Sequence, residues 1–211
     1  SSQARTRVLI LSAIGILLIY FGLKLYRAPL ESYTWTELLI NYAAGFIRRG
    51  LVGRVAYYFS QFISPIFFLT LSVIAGYLTQ LVLFFAVTRA VPTREWLLFT
   101  LSPTAFLFVI YNFDAYGRKD VYLLVISLFS TYLILKRVRL AIAFPVILAL
   151  YEIGALIHEY ALFYFPLILI LLLILESDRP TCVRYGLVGV GLIWMAANYL
   201  WLFGLSAQHY N

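Results

Sequence analysis

The chain has 211 residues, of which 64% are hydrophobic and 12% charged, with a formal net charge of +7. A soluble domain is about half apolar and a quarter charged, so this composition excludes an ordinary soluble enzyme and points to an integral membrane protein. Such a positive balance would suggest nucleic acid in a soluble chain. Here arginines at anionic lipid headgroups account for it, and membrane lipids rather than nucleic acid are the expected partner.

The opening SSQARTRVLILSAIGILLIY pairs a basic flank with an apolar run. No small-x-small cleavage site follows and the run continues past Phe21, so it reads as a retained first span with its N-terminus in the cytoplasm. A helical span needs about 20 apolar residues. The candidates are 8–26, 64–88, 95–112, 120–135, 140–157, 160–175 and 185–203. NFDAYGRKD interrupts 95–135 and HEY interrupts 140–175, and each whole stretch would overrun a bilayer core of about 30 Å. Each is therefore a hairpin of two spans. The expectation is an all-α, polytopic transmembrane helical bundle of about seven spans, forming a single domain over 1–211. The short C-terminal GLSAQHYN is also what a fragment of a longer protein would present.

Placing Arg5 and Arg7 inside puts Arg89, Arg94, Lys136, Arg137, Arg139, Arg179 and Arg184 there too, as the positive-inside tendency requires. The outer face then receives Arg48, Arg49, Arg54, Arg118 and Lys119. Within the outer segment 27–63, Thr34-Trp35-Thr36-Glu37 has the form of a capping box. It predicts a short amphipathic helix in the headgroup region, with Trp35 and Tyr42 at the interface and Gly45 ending it. Gly50 and Gly53 lead into a second short helix through Val55 to Phe62. The lone Cys182 cannot form an internal disulfide and reads as an inert thiol in a cytoplasmic turn.

Three clusters could carry chemistry. GFIRRGLVGR holds three glycines and three arginines in ten residues. Glycines allow close backbone approach, and arginine forks match phosphate oxygens, so Arg48, Arg49 and Arg54 are candidate phosphate ligands. The plain alternative is a headgroup anchor. In YNFDAYGRKDVY, Asp114, Arg118, Lys119 and Asp120 exceed what a turn needs. They suit a phosphorylated or sugar substrate, or else pair with one another in a solvated loop. In YEIGALIHEYALF, Glu152 and Glu159 are seven apart and would share a face of a continuous helix. An acidic group at membrane depth faces a polar cavity or a partner, and His158 adds a group that titrates near neutrality. Asp114, Glu152, Glu159 and His158 are thus the catalytic candidates. Leu162 stands where an H-E-x-x-H motif would place its second histidine, so neither a metal nor another cofactor is expected.

The outward Arg48/Arg49 loop, the FDAYGRKD tip and the HEYALFYFP segment together give a layout that resembles bacterial polytopic proteins of surface-polysaccharide assembly. These are the O-antigen and capsule polymerases and the GT-C class of lipid-linked-sugar glycosyltransferases. The R-x10-G pattern of the former and the paired acidic motif of the latter are absent. The resemblance implies a bacterial inner-membrane enzyme handling a polyprenyl-phosphate-linked sugar at the outer face, with arginines on phosphate and a carboxylate as base. Two other readings stand beside it: a non-catalytic subunit of a larger membrane assembly, and an anion or lipid transporter coupled to protons through Glu152 and His158.

Overall fold

The computed structural model describes residues 2–29, 33–41, 50–102, 116–176 and 180–208. Among them every regular element is an α-helix: α1 (Ser2–Tyr26), α2 (Tyr33–Leu39), α3 (Leu51–Phe59), α4 (Pro65–Thr88), α5 (Thr93–Thr100), α6 (Asp120–Leu135), α7 (Leu140–Ile157), α8 (Ala161–Leu175) and α9 (Thr181–Gln208). By length and composition, α1, α4, α7 and α9 can cross a membrane. α6 and α8 are apolar, but their 16 and 15 residues reach only about 22–24 Å at 1.5 Å per residue. The expected span at 95–112 is described only through α5, and the rest of it lies outside the described residues. The seven segments thus resolve here into four spanning-length helices, two shorter apolar ones and α5.

Local chemistry sets the breaks. Pro65 opens α4 at a position where its missing N–H costs nothing. α6 stops because Arg137 turns left-handed, with φ of 50°. The N–H groups of Arg137 and Val138 then bond back to Ile134 and Leu133, at 2.9 and 3.2 Å. That is the Schellman pattern, with arginine where glycine is usual. α7 ends where His158 adopts an extended conformation (φ −161°, ψ 129°). α8 begins three residues later.

Successive long helices run antiparallel. Tyr26 of α1 meets Phe67 of α4 edge-on, while Arg7 at the other end of α1 bonds to the carbonyls that close α4. Ser127 of α6 bonds to Tyr151 of α7, and Phe165 of α8 packs on Trp194 of α9. Two apolar cores result. One joins α1, α2, α3 and α4 with Tyr116, Val121 and Ile157. The other fills the space among α6, α7, α8 and α9.

Trp35, expected at the headgroup interface, is instead fully buried in the first core beside Leu38 and Leu25. The reason is that α2 lies against α3 so closely that a Cβ on Gly53 would stand 2.1 Å from the carbonyl oxygen of Ile40. α2 is thereby pulled into the bundle, and the aromatic residues left exposed between it and α4 are Tyr57, Tyr58, Phe59 and Phe62 among the described residues. Gly53 lies inside α3 rather than ahead of it. Tyr42 and Gly45 lie outside the described residues.

Candidate functional site

The segments 50–54, 116–120 and 157–160 come to the same end of the bundle, where α1 finishes and α4 begins. The tip residue Tyr116 donates a hydrogen bond to the Leu18 carbonyl, and its own carbonyl accepts one from the Tyr77 hydroxyl at 2.9 Å. The two rings stack with centroids 4.8 Å apart. Burial pushes the Tyr116 hydroxyl well above its ordinary pKa, so it serves as a neutral donor. Gly117 follows, against Thr34 of α2; a Cβ there would lie 2.0 Å from the threonine methyl. This pinning of the tip onto α2 fixes where the next three charges go.

Lys119 is only 1% exposed, and its Nζ lies 3.9 Å from Oε1 of Glu37. Glu37 therefore serves as the counter-ion of a buried lysine. Lys119, expected as a phosphate ligand, is thus an enclosed cation that faces a carboxylate. Arg118 and Asp120 point the other way, half-exposed, with Nε and Oδ2 3.2 Å apart. Tyr77 and Tyr164 lie within electrostatic reach of this pair, and Tyr122 bonds to Ser72 at 2.7 Å. Tyr77, Tyr116 and Tyr122 thus make their hydrogen bonds within the bundle beside the segment that carries this pair.

Glu152 and Glu159 do not share a helical face, because α7 stops at Ile157. Glu159 lies in the turn to α8, with Oε2 3.7 Å from Nδ1 of the buried His158. The same Nδ1 lies 3.2 Å from the backbone N–H of Tyr160. When it accepts that bond the neutral ring carries its proton on Nε2. Glu152, one and a half turns before the end of α7, is half-buried and has no hydrogen-bond or ion-pair partner among the described residues. Arg54 is exposed, its guanidinium 5.6 Å from the centroid of the Tyr57 ring. Arg48, Arg49 and Asp114 lie outside the described residues. No group of three His, Cys, Asp or Glu side chains among the described residues could hold a metal ion.

Three residues at this site were not singled out as site residues in the sequence. Glu37 read as part of a capping box, and nothing local links it to a lysine 82 positions away. Tyr77 and Tyr164 lie inside apolar runs, where a tyrosine gives no signal until its neighbours are known.

The described residues define an all-helical chain with four helices able to cross a membrane and a mixed-charge site at one end. No family model matches the sequence, and neither a curated protein nor a solved structure is significantly similar to it.

Proposed function

We propose that this chain is a membrane enzyme acting on a lipid-linked, phosphate-bearing glycan, by glycosyl transfer or polymerisation, at the bundle end that carries Arg118 and Asp120. The observation that carries this reading is the gathering of the Arg118–Asp120, Lys119–Glu37 and His158–Glu159 pairs at one end of the bundle, with Arg118 half-exposed and a half-buried Glu152 near the same end that has no partner among the described residues. A solvated loop has no need of such an arrangement, and an unpaired acid at this depth is costly unless it has a task. In this reading Arg118 holds the leaving phosphate and offsets the charge it gains. The acceptor hydroxyl forms a bond to the anomeric carbon as the bond to phosphate breaks. The phosphate leaves with the electron pair, and Glu152 or Glu159 takes the hydroxyl proton.

The test uses the full chain in neutral detergent with a polyprenyl-diphosphate-linked oligosaccharide and reads release of polyprenyl diphosphate. Arg118→Ala is expected to weaken binding about tenfold, the scale of one charge-assisted hydrogen bond. Glu152→Gln should bind normally and lose turnover. Binding no tighter than that of a neutral lipid would overturn the reading. It would favour the alternative, a structural subunit, for which the internally paired Lys119–Glu37 and Arg118–Asp120 are the supporting observation.

A further inference from the structure

At the opposite end of the bundle, Arg7 sits where α1 passes the close of α4. It is 6% exposed, yet it forms no ion pair among the described residues. Its Nη1 donates to the carbonyls of Thr88 and Arg89 at 3.4 and 3.2 Å, and its Nη2 to the carbonyl of Val91 at 2.6 Å and to Oγ1 of Thr93 at 3.3 Å. The Trp96 ring lies beneath its guanidinium, 5.3 Å from the centroid. Its Nε is buried and has no bonding partner among the described residues. A guanidinium beside carbonyls at a helix C-terminus is favourable, but these dipoles do not neutralise it.

Arg7 also lines a cavity of about 160 Å³ with Gln3, Ala4, Phe85 and Arg89. Arg89 is exposed and likewise has no carboxylate partner among the described residues. Two arginines and a glutamine therefore line one small space with no acid among its lining residues, and of the Arg7 guanidinium the Nε is the nitrogen without a bond among the described residues. Phe85 is shared with a second, larger cavity of about 460 Å³. That one is an open groove between α1 and α4, lined by Leu11, Gly15 and Ile19 on one side and Leu78, Leu81 and Val82 on the other. From Val8 to Ile19 it runs about 16 Å down the helix at 1.5 Å per residue. An apolar slot of this size is in the range of a ligand site, and here it shares Phe85 with a pocket lined by two arginines.

We infer that the pocket and groove together bind an anionic glycerophospholipid, its phosphate on Arg7 and Arg89 and an acyl chain in the α1–α4 groove. The chemistry needs a phosphate with net negative charge, because a zwitterionic headgroup would bring its own cation to two arginines. It needs the chain as well, because the groove has almost no polar lining and adjoins the pocket at their shared residue Phe85. This site lies at the other end of the molecule from the Arg118 site and does not depend on the function proposed there.

The test uses the full chain in neutral detergent, with native mass spectrometry counting retained lipid and thermal unfolding reading stabilisation. The probes are dioleoylphosphatidylglycerol, dioleoylphosphatidylcholine and inorganic phosphate. The variants avoid the structural Arg7: Arg89→Gln removes an exposed charge, and Ser12→Leu fills the groove from an exposed position. Phosphatidylglycerol should be retained and stabilise the fold, with phosphatidylcholine and phosphate at least about tenfold weaker. Each variant should lower phosphatidylglycerol affinity about tenfold while unfolding at the wild-type temperature without lipid. If the two lipids bind equally and Arg89→Gln changes nothing, the groove holds only bulk lipid and the inference fails. It fails equally if inorganic phosphate competes fully and Ser12→Leu has no effect, since the pocket is then a free-anion site.

Discussion

Replacing Lys119 by methionine isolates the ion pair that joins the hairpin tip to α2. Methionine keeps the length and apolar stem of lysine and removes the charge, leaving the Glu37 carboxylate without the cation it faces at 3.9 Å. At that separation and an effective dielectric of about 20, the Coulomb attraction is about 4 kcal/mol. The full ε of water would reduce it to about 1 kcal/mol, but Lys119 is enclosed and Glu37 is only 10% exposed at its side chain. Removing one partner of a buried pair costs about 3–5 kcal/mol where nothing else offsets the remaining charge, which is the upper limit for Lys119→Met. Removing both, in Lys119→Met with Glu37→Gln, avoids that stranded charge and should recover most of the loss. The assay is reversible unfolding by added dodecyl sulfate, followed by circular dichroism, on wild type, both single variants and the double variant. A coupling energy of several kcal/mol in the cycle is expected. A coupling below about 0.5 kcal/mol would mean that the two side chains are independent, as distant sites are, and that the tip is held by packing alone.

The same unfolding assay checks three further variants. Gly53→Ala should cost about 1–3 kcal/mol, the range for overpacking, because its Cβ meets backbone at Ile40 and not a side chain that could turn away; Gly189→Ala, with open space around it, is the control and should be neutral or better. Arg137→Gly should gain about 1 kcal/mol by relieving a left-handed non-glycine residue at an exposed turn. Tyr116→Phe should lose about 1 kcal/mol with the bond to Leu18. Since burial raises the Tyr116 pKa, that residue's contribution is complete below the ordinary value of about 10 and declines as pH rises above it; the phenylalanine variant should lack this share of the alkaline decline. For topology, the native Cys182, which is exposed, and a single cysteine at exposed Tyr160 in a Cys182→Ser background should label from opposite sides of the membrane. Labelling from the same side would refute the assignment of α8 as an element that separates the two ends.

Much of the architecture was legible before any coordinates. Apolar runs of span length, broken by NFDAYGRKD and HEY, locate the long helices among the described residues to within about six residues at either end, because burial in lipid leaves the backbone little choice but to bond to itself. The short helices of 27–63 were likewise foreseeable from capping and glycine signals, although α2 was expected to lie flat at the surface. The count of spans was less secure. Two apolar runs form helices of only 15 and 16 residues, each ended by local geometry at a charged or extended residue that hydropathy alone does not weigh.

The candidate site was legible only in part. Sequence located Arg118, Asp120, Glu152, His158 and Glu159 as unusual for their surroundings, and the end of the bundle at which they gather followed from alternating spans. It could not assign partners. Glu37 and Lys119 are far apart along the chain, and their pairing depends on Gly117 and Gly53 drawing α2 inward. Glu152 and Glu159 lost their common face because His158 interrupts the helix. Arg7 read as one more inner-flank arginine until folding brought the end of α4, and Arg89 with it, against α1. Sequence by itself thus determined which segments leave water and form helices, since that follows from local transfer energies and backbone hydrogen bonding. Only the tertiary structure decided which charges neutralise one another and which remain available, because electrostatic pairing depends on separations of a few ångströms between residues that the chain order keeps far apart.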